Sequence, residues 1–292
     1  RRLGNLKSFR TPHIILNEGI QNNSITSSFL DYDCSFYKGI VGIYSQENNE
    51  KLLKIISLFL NSIYTKYFAF LTTSSWGIER DVVKHRELFD IPYILKELSL
   101  NDKEKLILTF EKFLSTFIDL EKRKLEAEIN NLILNYLSKD EQIVIQDTLN
   151  YSLDLFEKQE KSKAVLPVND IDVYSKRITK ELNSWLEDVE MKVSATHYSI
   201  NSNCPLYMVK MSFGNEFVKT KTSKENIYDE LKTLDQKLWN EESKNLYFRK
   251  KLIYYDNEDV YIIKPNQRRF WSETAAMEDS KSLLVEILNM KE

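Results

Sequence analysis

The chain contains 292 residues, of which 42% are hydrophobic and 29% are charged, and its formal net charge is -3. This composition is ordinary for a soluble protein, and the length is enough for one large domain or two modest ones. The slight acidic excess argues against a free-standing nucleic-acid binder, because such proteins are usually basic.

The charge is unevenly distributed along the chain. Residues 1–95 carry 11 Lys and Arg against 9 Asp and Glu, whereas residues 96–165 carry 11 against 14. The acidic excess therefore lies outside the first segment. Contact of that segment with a polyanion stays open, although a mixed, solvated surface explains the counts equally well.

The cysteines and the first residues bear on the cellular compartment. Cys34 and Cys204 lie far apart and match no zinc-binding or CxxC spacing, which indicates reduced thiols in the cytosol. The Arg1-Arg2 start is followed by no apolar run, so no signal peptide is predicted. Because the chain does not begin with Met, we expect it to be part of a longer protein.

Residues 1–47 are predicted to form strands joined by turns. Residues 12–16 and 39–44 are short runs rich in Ile, Val and aromatic residues. Gly39 and Gly42 in the second run indicate a bulge or the close approach of another backbone segment. The simplest interpretation is an antiparallel sheet with polar turns.

A helix is predicted at about residues 49–68, because apolar residues recur at the spacing of one buried helical face. Lysines interrupt the apolar run, which argues against a membrane span. A polar, hydroxyl-rich loop over residues 72–86 follows. The segment ends at the Ile91-Pro92 step, since a residue before proline disfavours helical geometry. This pattern is typical of a core helix that presents a contact loop at the surface.

Residues 101–161 are predicted to be helical almost throughout. Asn101-Asp102 can cap the first helix, and Ser138 with Glu141 fits a capping box at the start of a later one. Acidic residues match or exceed basic ones in this region. We therefore expect a connector that acts as a spacer or a partner-docking surface, rather than a dedicated DNA-binding stripe.

A domain boundary is predicted at residues 160–172, where Pro167 breaks the helical pattern. Beyond it, amphipathic and alternating patterns predict a second α+β unit with an antiparallel sheet, in which Asp256-Asn257 forms a hairpin turn. The predicted elements are a helix at 173–188, strands at 191–198 and 205–213, a helix at 223–240, strands at 246–255 and 260–263, and a last helix at 272–290.

The predicted fold class is α+β, with two mixed units that contain antiparallel sheets and are joined by a long helical connector. The expected domains are residues 1–95, the connector at residues 96–165 and a C-terminal unit at residues 166–292.

Several short segments occur in a defined order. They are PHIIL at 12–16, SFLDYDCSFYKGIVGIYS at 28–45, LNS at 60–62, SSW at 74–76 and ELFDIP at 87–92. In this order they resemble the target-recognition (specificity) region of bacterial adenine-N6 DNA methyltransferases of the single-chain, TaqI-like and Eco57I-like kind. Residues 264–288 resemble the C-terminal end of such proteins. The resemblance implies a restriction-modification or phage-defence system, with residues 1–95 as the specificity unit.

The catalytic motifs of that family have no counterpart here. The family holds a flipped adenine with an Asn-Pro-Pro-aromatic loop and binds S-adenosylmethionine with a glycine-bearing loop, whereas this chain has neither Pro-Pro nor GxG. The three histidines are scattered and no HExxH occurs, so no metal site is expected. We expect no catalytic residue and no cofactor in this chain. S-adenosylmethionine is expected in the catalytic domain of the parent methyltransferase, and whether the chain itself has enzyme activity stays open.

A nuclease of the PD-(D/E)xK type is a third alternative. Glu50, Glu104 and Glu121 lie near lysines, but all three fall in predicted helices, where charge-rich sequence produces such pairs by chance.

The loop at residues 72–86 contains the residue types that contact duplex DNA. Arg80 and Arg86 can form paired hydrogen bonds with guanine, Lys84 can neutralise a phosphate, and small hydroxyl groups can donate to phosphate oxygens. Alternatively, Trp76 with Ile78 anchors the loop and Glu79 pairs with Arg80. The predicted DNA-binding residues of this loop are Thr73, Ser74, Ser75, Trp76, Arg80, Lys84 and Arg86.

A second candidate lies at the strand-to-helix junction near the C-terminus, where basic and aromatic residues alternate. Such a cluster suits backbone contact or base stacking. The alternative is that Phe270 and Trp271 anchor the last helix while the arginines face solvent. The predicted DNA-binding residues here are Gln267, Arg268, Arg269 and Trp271.

The resemblance implies sequence-specific recognition of double-stranded DNA for a methyltransferase catalytic domain that is absent from this chain. The expected partners are duplex DNA and that catalytic domain, with restriction subunits as further partners, in the bacterial cytoplasm and without a membrane. The alternative is a protein-interaction module that docks methyltransferase to restriction or translocase subunits through residues 96–165. A basic concave face would favour the first function, and an exposed apolar helical face would favour the second.

Overall fold

The computed structural model describes residues 5–21, 23–76, 81–187, 191–198, 204–214, 220–223, 227, 229, 231–232, 251–257 and 259–289. Helices and strands occur in both halves of the chain, which confirms the predicted α+β class. The chain divides into two compact units, Arg1–Ile145 and Gln146–Glu292.

The first unit contains a three-stranded antiparallel sheet. Its strands are β1 (His13–Gln21), β2 (Ser24–Leu30) and β3 (Ile40–Tyr44), in the order β2-β1-β3. The sequence did not indicate β2, because this strand is rich in Ser and Thr. Its inward positions, Ile25 and Ser27, are nevertheless buried.

The prediction of a close backbone approach is confirmed at Gly42. A Cβ atom at this position would lie 2.4 Å from the carbonyl oxygen of Ser8. Ser8 belongs to a 3-10 turn, Leu6–Phe9, which packs against β3. Glycine is therefore required at this point of the strand.

The helix predicted at about residues 49–68 consists of two helices, α1 (Glu50–Leu60) and α2 (Ile63–Thr72). One contact at the break is local: the hydroxyl of Ser62 accepts a hydrogen bond from the N–H of Thr65 and caps α2. The described residues include no single helix long and apolar enough to cross a membrane. Taken together, α1 and α2 reach that length and composition, but they are bent by 58° at their break.

Asn61, at the same break, holds the helices to the sheet. Its side-chain oxygen accepts the N–H of Ser27 at 2.9 Å, and its amide nitrogen donates to the Ser27 carbonyl at 2.8 Å. The continuous helix predicted from apolar spacing was therefore wrong at this point, because the contact with Ser27 is tertiary and leaves no mark in the periodicity.

The helices that follow are α3 (His85–Phe89), α4 (Leu100–Ser115), α5 (Asp119–Leu134) and α6 (Lys139–Asp147). α4 begins after Ser99, whose hydroxyl accepts the N–H of Asp102, and not at the predicted cap, Asn101-Asp102. The capping box at the start of α6 is confirmed, because Ser138 and Glu141 exchange hydrogen bonds. α4 packs against α1 and α5, so much of the predicted connector is part of the first unit.

The second unit begins within this helical region. A π-helical segment, Thr148–Leu153, leads into α7 (Asp154–Phe156), and α8 (Val168–Trp185) starts directly after Pro167. The last helix is α9 (Glu273–Asn289). α8 and α9 pack against each other, and α8 also packs against the sheet. The boundary between the units thus precedes the predicted one.

The second unit contains a five-stranded sheet of order β6-β4-β5-β8-β7. The sheet is antiparallel as predicted except at one edge, where β6 runs parallel to β4. Its strands are β4 (Lys192–Tyr198), β5 (Leu206–Gly214), β6 (Lys221–Ser223), β7 (Leu252–Asp256) and β8 (Asp259–Pro265). The predicted helix at 223–240 and the start of the predicted strand at 246–255 lie largely outside the described residues.

Candidate nucleic-acid interface

The segment over residues 81–85 runs beside the end of β1. The N–H of Ile20 donates to the carbonyl of Asp81 at 2.7 Å, and the N–H of Val83 donates to the carbonyl of Glu18 at 2.8 Å. Gly19 and Val82 form an isolated antiparallel bridge. The second half of the predicted contact loop is therefore held by backbone hydrogen bonds to the sheet.

The side chain of Glu18 adds a further attachment. Its Oε1 accepts the backbone N–H of His85 at 3.1 Å and lies 2.6 Å from His85 Nδ1. Burial alone raises the pKa of Glu18, but the hydrogen bonds and the positive charge of His85 outweigh this effect and lower it. Glu18 is thus a carboxylate that fixes the start of α3.

Glu87 joins the two ends of the loop. Its Oε1 accepts the N–H of Ser74 at 3.1 Å and the Ser74 hydroxyl at 2.9 Å, and its Oε2 accepts the N–H of Lys84 at 3.0 Å. Burial acts to raise the pKa of Glu87, but these hydrogen bonds lower it overall. One carboxylate therefore fixes the loop on both sides of residues 77–80.

Buried apolar side chains anchor the loop to the core of the first unit. Trp76 is 3% exposed and meets the ring of Phe70 edge-on, with the ring centroids 5.9 Å apart. Val83 and Leu88 are also buried. The burial of Trp76 agrees with the alternative in which this residue pins the loop, and in this conformation its indole presents no stacking surface.

The remaining predicted residues of the loop differ in their surroundings. The hydroxyl of Thr73 is buried and donates to the carbonyl of Ala69. Ser74 is exposed but bonded to Glu87, and Ser75 is half-buried. Arg80 lies outside the described residues.

Lys84 and Arg86 are the cations that this loop exposes in the part of the chain that the structure describes. Neither forms an ion pair with a described residue. The positive charge of Lys84 lowers the pKa of Glu18 and of Glu87 by electrostatic attraction, without an ion pair to either carboxylate. The loop therefore presents two available positive charges on a backbone that is fixed at several points.

The C-terminal cluster is built differently. Trp271 is 1% exposed, its indole N–H donates to the Pro265 carbonyl at 2.9 Å, and its ring meets Tyr174 and Tyr207 edge-on. It anchors the start of α9 and offers no face to a base in this conformation. This matches the anchoring alternative for Trp271.

The arginines of this cluster are engaged within the second unit. The Arg268 Nε donates to Asp170 at 2.7 Å. Arg269 Nε donates to Gln267 Oε1 at 3.1 Å, and its guanidinium lies 4.6 Å from the centroid of the Phe270 ring. Because Arg268 already has a carboxylate partner, the C-terminal cluster has less charge available for phosphate than its sequence indicates.

Beneath this cluster lies a buried ionic group. Lys264 is 5% exposed and is bonded to Asp279, and its Nζ also donates to the carbonyl of Phe270 at 2.9 Å. Tyr174 donates to Asp279 at 2.5 Å, and Lys251 lies 3.0 Å from the same carboxylate. Burial lowers the pKa of Lys264, although Asp279 opposes the shift. These contacts give the group a structural role in joining β8, α8 and α9.

One exposed feature was missed from the sequence. Leu114, Phe117, Ile118 and Leu120 lie at the turn between α4 and α5 and are 58%, 89%, 58% and 65% exposed. This set is termed the hairpin tip. The charge density of residues 96–165 predicted a docking surface on the helices as a whole. The sequence signal for the hairpin tip is the concentration of apolar residues at the turn, within FLSTFIDL.

The loop with Lys84 and the cluster with Arg268 lie in separate units, so each is a candidate surface of its own. Among the described residues no group of three or more His, Cys, Asp or Glu side chains could hold a metal ion. Comparison of the chain with family models, with curated proteins and with solved structures finds no match.

Proposed function

We propose that this chain recognises specific sequences in double-stranded DNA on behalf of an adenine-N6 DNA methyltransferase, with the first unit as the recognition element. The observation that carries the proposal is the loop at residues 72–86, in which Lys84 and Arg86 are exposed and have no ion-pair partner among the described residues. The order of segments shared with the target-recognition regions of these enzymes supports it.

The geometry of the loop suits this task. Base recognition requires a guanidinium held in a defined position, because the paired hydrogen bonds to guanine O6 and N7 are directional. Arg86 lies on α3, and Glu18 and Glu87 attach α3 to β1 and to Ser74. Lys84, at the start of α3, is suited to a phosphate contact that sets the register.

The catalytic step belongs to the rest of the proposed enzyme. S-adenosylmethionine and the flipped adenine would be bound by a separate catalytic domain, and this chain would contribute contacts that offset the cost of unstacking the base. Such an enzyme would act in the bacterial cytoplasm within a restriction-modification or phage-defence system.

The experiment is binding of the chain to a random pool of duplex DNA across a salt series from about 50 to 200 mM, followed by sequencing of the bound fraction. Arg86→Ala is expected to relax the selected sequence at one position, because a bidentate base contact contributes about 1–3 kcal/mol of discrimination. Lys84→Ala is expected to lower affinity for all sequences and to reduce the salt slope by about one contact.

Lys96→Ala is the matched control, because Lys96 is exposed in the same unit and lies outside the loop. Equal effects of Lys96→Ala and Arg86→Ala would mean that general charge, and not the loop, governs binding. Absence of binding by the wild-type chain at the lowest salt would reject DNA recognition by this chain alone.

A second candidate function is docking of restriction or translocase subunits through the helices of residues 96–165. The hairpin tip favours it, since exposed apolar groups mark interaction surfaces. Copurification of such subunits with the wild-type chain, and their loss with Phe117→Ala but not with Leu108→Ala, is the result expected from docking.

A further inference from the structure

The hairpin formed by α4 and α5 extends beyond the core of its unit. Thr109 and Phe110 are buried on α4, and Ile129 and Ile133 are buried on α5. Between residues 111 and 128, in contrast, no side chain is buried. The distal half of the hairpin thus adds no buried side chain to the core, and Glu111 at its start is paired with Lys54 of α1.

The hairpin tip carries four large apolar side chains at the end of this projection. Phe117 is 89% exposed and stands in the three-residue turn at residues 116–118 between the helices. Exposure of this many apolar groups is unfavourable in water, so the tip is expected to meet a partner.

The charge around the tip differs from that of the whole region. Residues 112–124 contain four basic residues and two acidic ones, Asp119 and Glu121, whereas residues 96–165 are acidic overall and Glu126 and Glu128 follow the segment. Lys112, Arg123 and Lys124 are exposed and form no ion pair with a described residue. Glu111, the acidic residue next to this segment, is engaged by Lys54 at 2.5 Å. The apolar tip therefore carries available positive charge on both helices.

The size of the tip bears on the kind of partner. Four side chains expose on the order of 500 Å², less than the roughly 800 Å² that each partner buries in a standard protein–protein interface, so docking of a restriction or translocase subunit, the second candidate function, would need contacts beyond the tip. A narrow apolar projection flanked by cations has instead the features of the wedges that DNA-binding proteins insert between base steps. Burial of a phenyl ring and unstacking of one base step involve free energies of similar size.

We propose that the hairpin tip is a DNA wedge, in which Phe117 enters a base step of duplex DNA while Lys112, Arg123 and Lys124 contact the flanking phosphates. This inference rests on the proposed function, since it requires the chain to bind duplex DNA. The hairpin tip is then a second DNA contact, distinct from the loop that contains Lys84 and Arg86, and it deforms the duplex.

The test is the fluorescence of 2-aminopurine placed in turn at each adenine of a duplex that the full chain binds. Unstacking of the probe raises its emission. The wild-type chain is expected to raise it severalfold at one step, and Phe117→Ala is expected to reduce that gain by about threefold or more, because the wedge is truncated. Phe117→Leu, which keeps an apolar side chain, is expected to retain much of the gain.

Leu108→Ala is the matched control. Leu108 is also on α4 and is 61% exposed, but it lies outside the tip. Its variant is expected to leave the emission unchanged. Because both residues are exposed, neither substitution removes core packing, and circular dichroism is expected to report unchanged folding.

The outcomes separate the two proposals. If Lys84→Ala weakens binding while Phe117→Ala leaves emission and affinity unchanged, the wedge is rejected and DNA recognition stands. If sedimentation shows a dimer of the wild-type chain that Phe117→Ala dissociates without altering DNA binding, a second copy covers the tip and the wedge is also rejected. If the wild-type chain binds no DNA, both proposals fail.

Discussion

The carboxylate of Glu87 binds both the backbone N–H and the hydroxyl of Ser74, which lies 13 residues earlier in the chain. The same carboxylate accepts the N–H of Lys84. A single side chain therefore joins the segment that follows α2 to the segment that carries the exposed cations. The position of those cations depends on it.

Substitution of Glu87 by Gln is expected to loosen the loop. The amide provides one acceptor oxygen in place of two and loses the negative charge, so the contacts with Ser74 and Lys84 cannot all persist. We expect a loss of about 1–2 kcal/mol in the free energy of unfolding, together with weaker DNA binding. Urea denaturation and the binding assay on the same preparation measure both quantities.

The control for this change is Glu97→Gln, an exposed glutamate whose side chain forms no hydrogen bond or ion pair with a described residue. It is expected to alter stability by only a few tenths of a kcal/mol. An equal loss for Glu97→Gln would show that net charge, and not the Glu87 contacts, determines the effect.

The stability of the first unit is expected to fall under acid conditions. The pKa of Glu18 and that of Glu87 are both lowered from the ordinary value of 4.5, because the hydrogen bonds of His85, Ser74 and Lys84 outweigh burial. A carboxylate with a depressed folded pKa adds stability that is complete above its unfolded pKa and is lost as the pH falls through the folded value. The loss of stability is therefore expected below pH 4.5.

Denaturant titrations at a series of pH values from about 7 to about 3 measure this dependence. In the double variant Glu18→Gln, Glu87→Gln the contribution is absent at every pH, so its stability is expected to be lower at neutral pH and to vary less with acid. An unchanged slope in that variant would rule out these two groups as its source.

The buried pair of Lys264 and Asp279 is expected to be sensitive to removal of one partner. Lys264→Met leaves Asp279 in the interior with Lys251 as its remaining cation. Breaking a buried pair in this way costs about 3–5 kcal/mol, since the other charge is left poorly compensated. Calorimetry or urea unfolding measures the loss.

Lys281→Met, on the helix α9 that carries Asp279, is the control, because Lys281 is exposed. Its effect is expected to stay within about half a kcal/mol. A loss for Lys264→Met as small as that for Lys281→Met would mean that the charge of Lys264 contributes little to stability, since Met retains most of its hydrocarbon chain.

The sequence was sufficient to predict an element where the contacts that determine it are local. The cap formed by Ser138 and Glu141 spans three residues, and the strand pair joined at Asp256-Asn257 follows from one turn, in which Asn257 has a φ of 57°. The buried face of α8 was likewise visible, because Tyr174, Ile178 and Leu182 keep the helical spacing. Trp185 continues that spacing but is exposed.

The sequence was insufficient where the contact comes from a distant segment. The break between α1 and α2 depends on Ser27, 34 residues before Asn61, and the start of α4 at Ser99 is coupled to Tyr136. The availability of a charge is also a tertiary property: Arg268 and Arg86 are equivalent as residue types, but among the described residues a carboxylate pairs with Arg268 and none pairs with Arg86.

The contact between Asn61 and Ser27 has a consequence for association of the chain. β2 is an edge strand, and an edge strand exposes backbone groups that can pair with a strand of another molecule. At Ser27 both backbone groups are already bonded to the amide of Asn61, which occupies the place of a neighbouring strand. A second chain cannot extend the sheet in register through that residue, so the side chain that ends a helix also protects the sheet from aggregation.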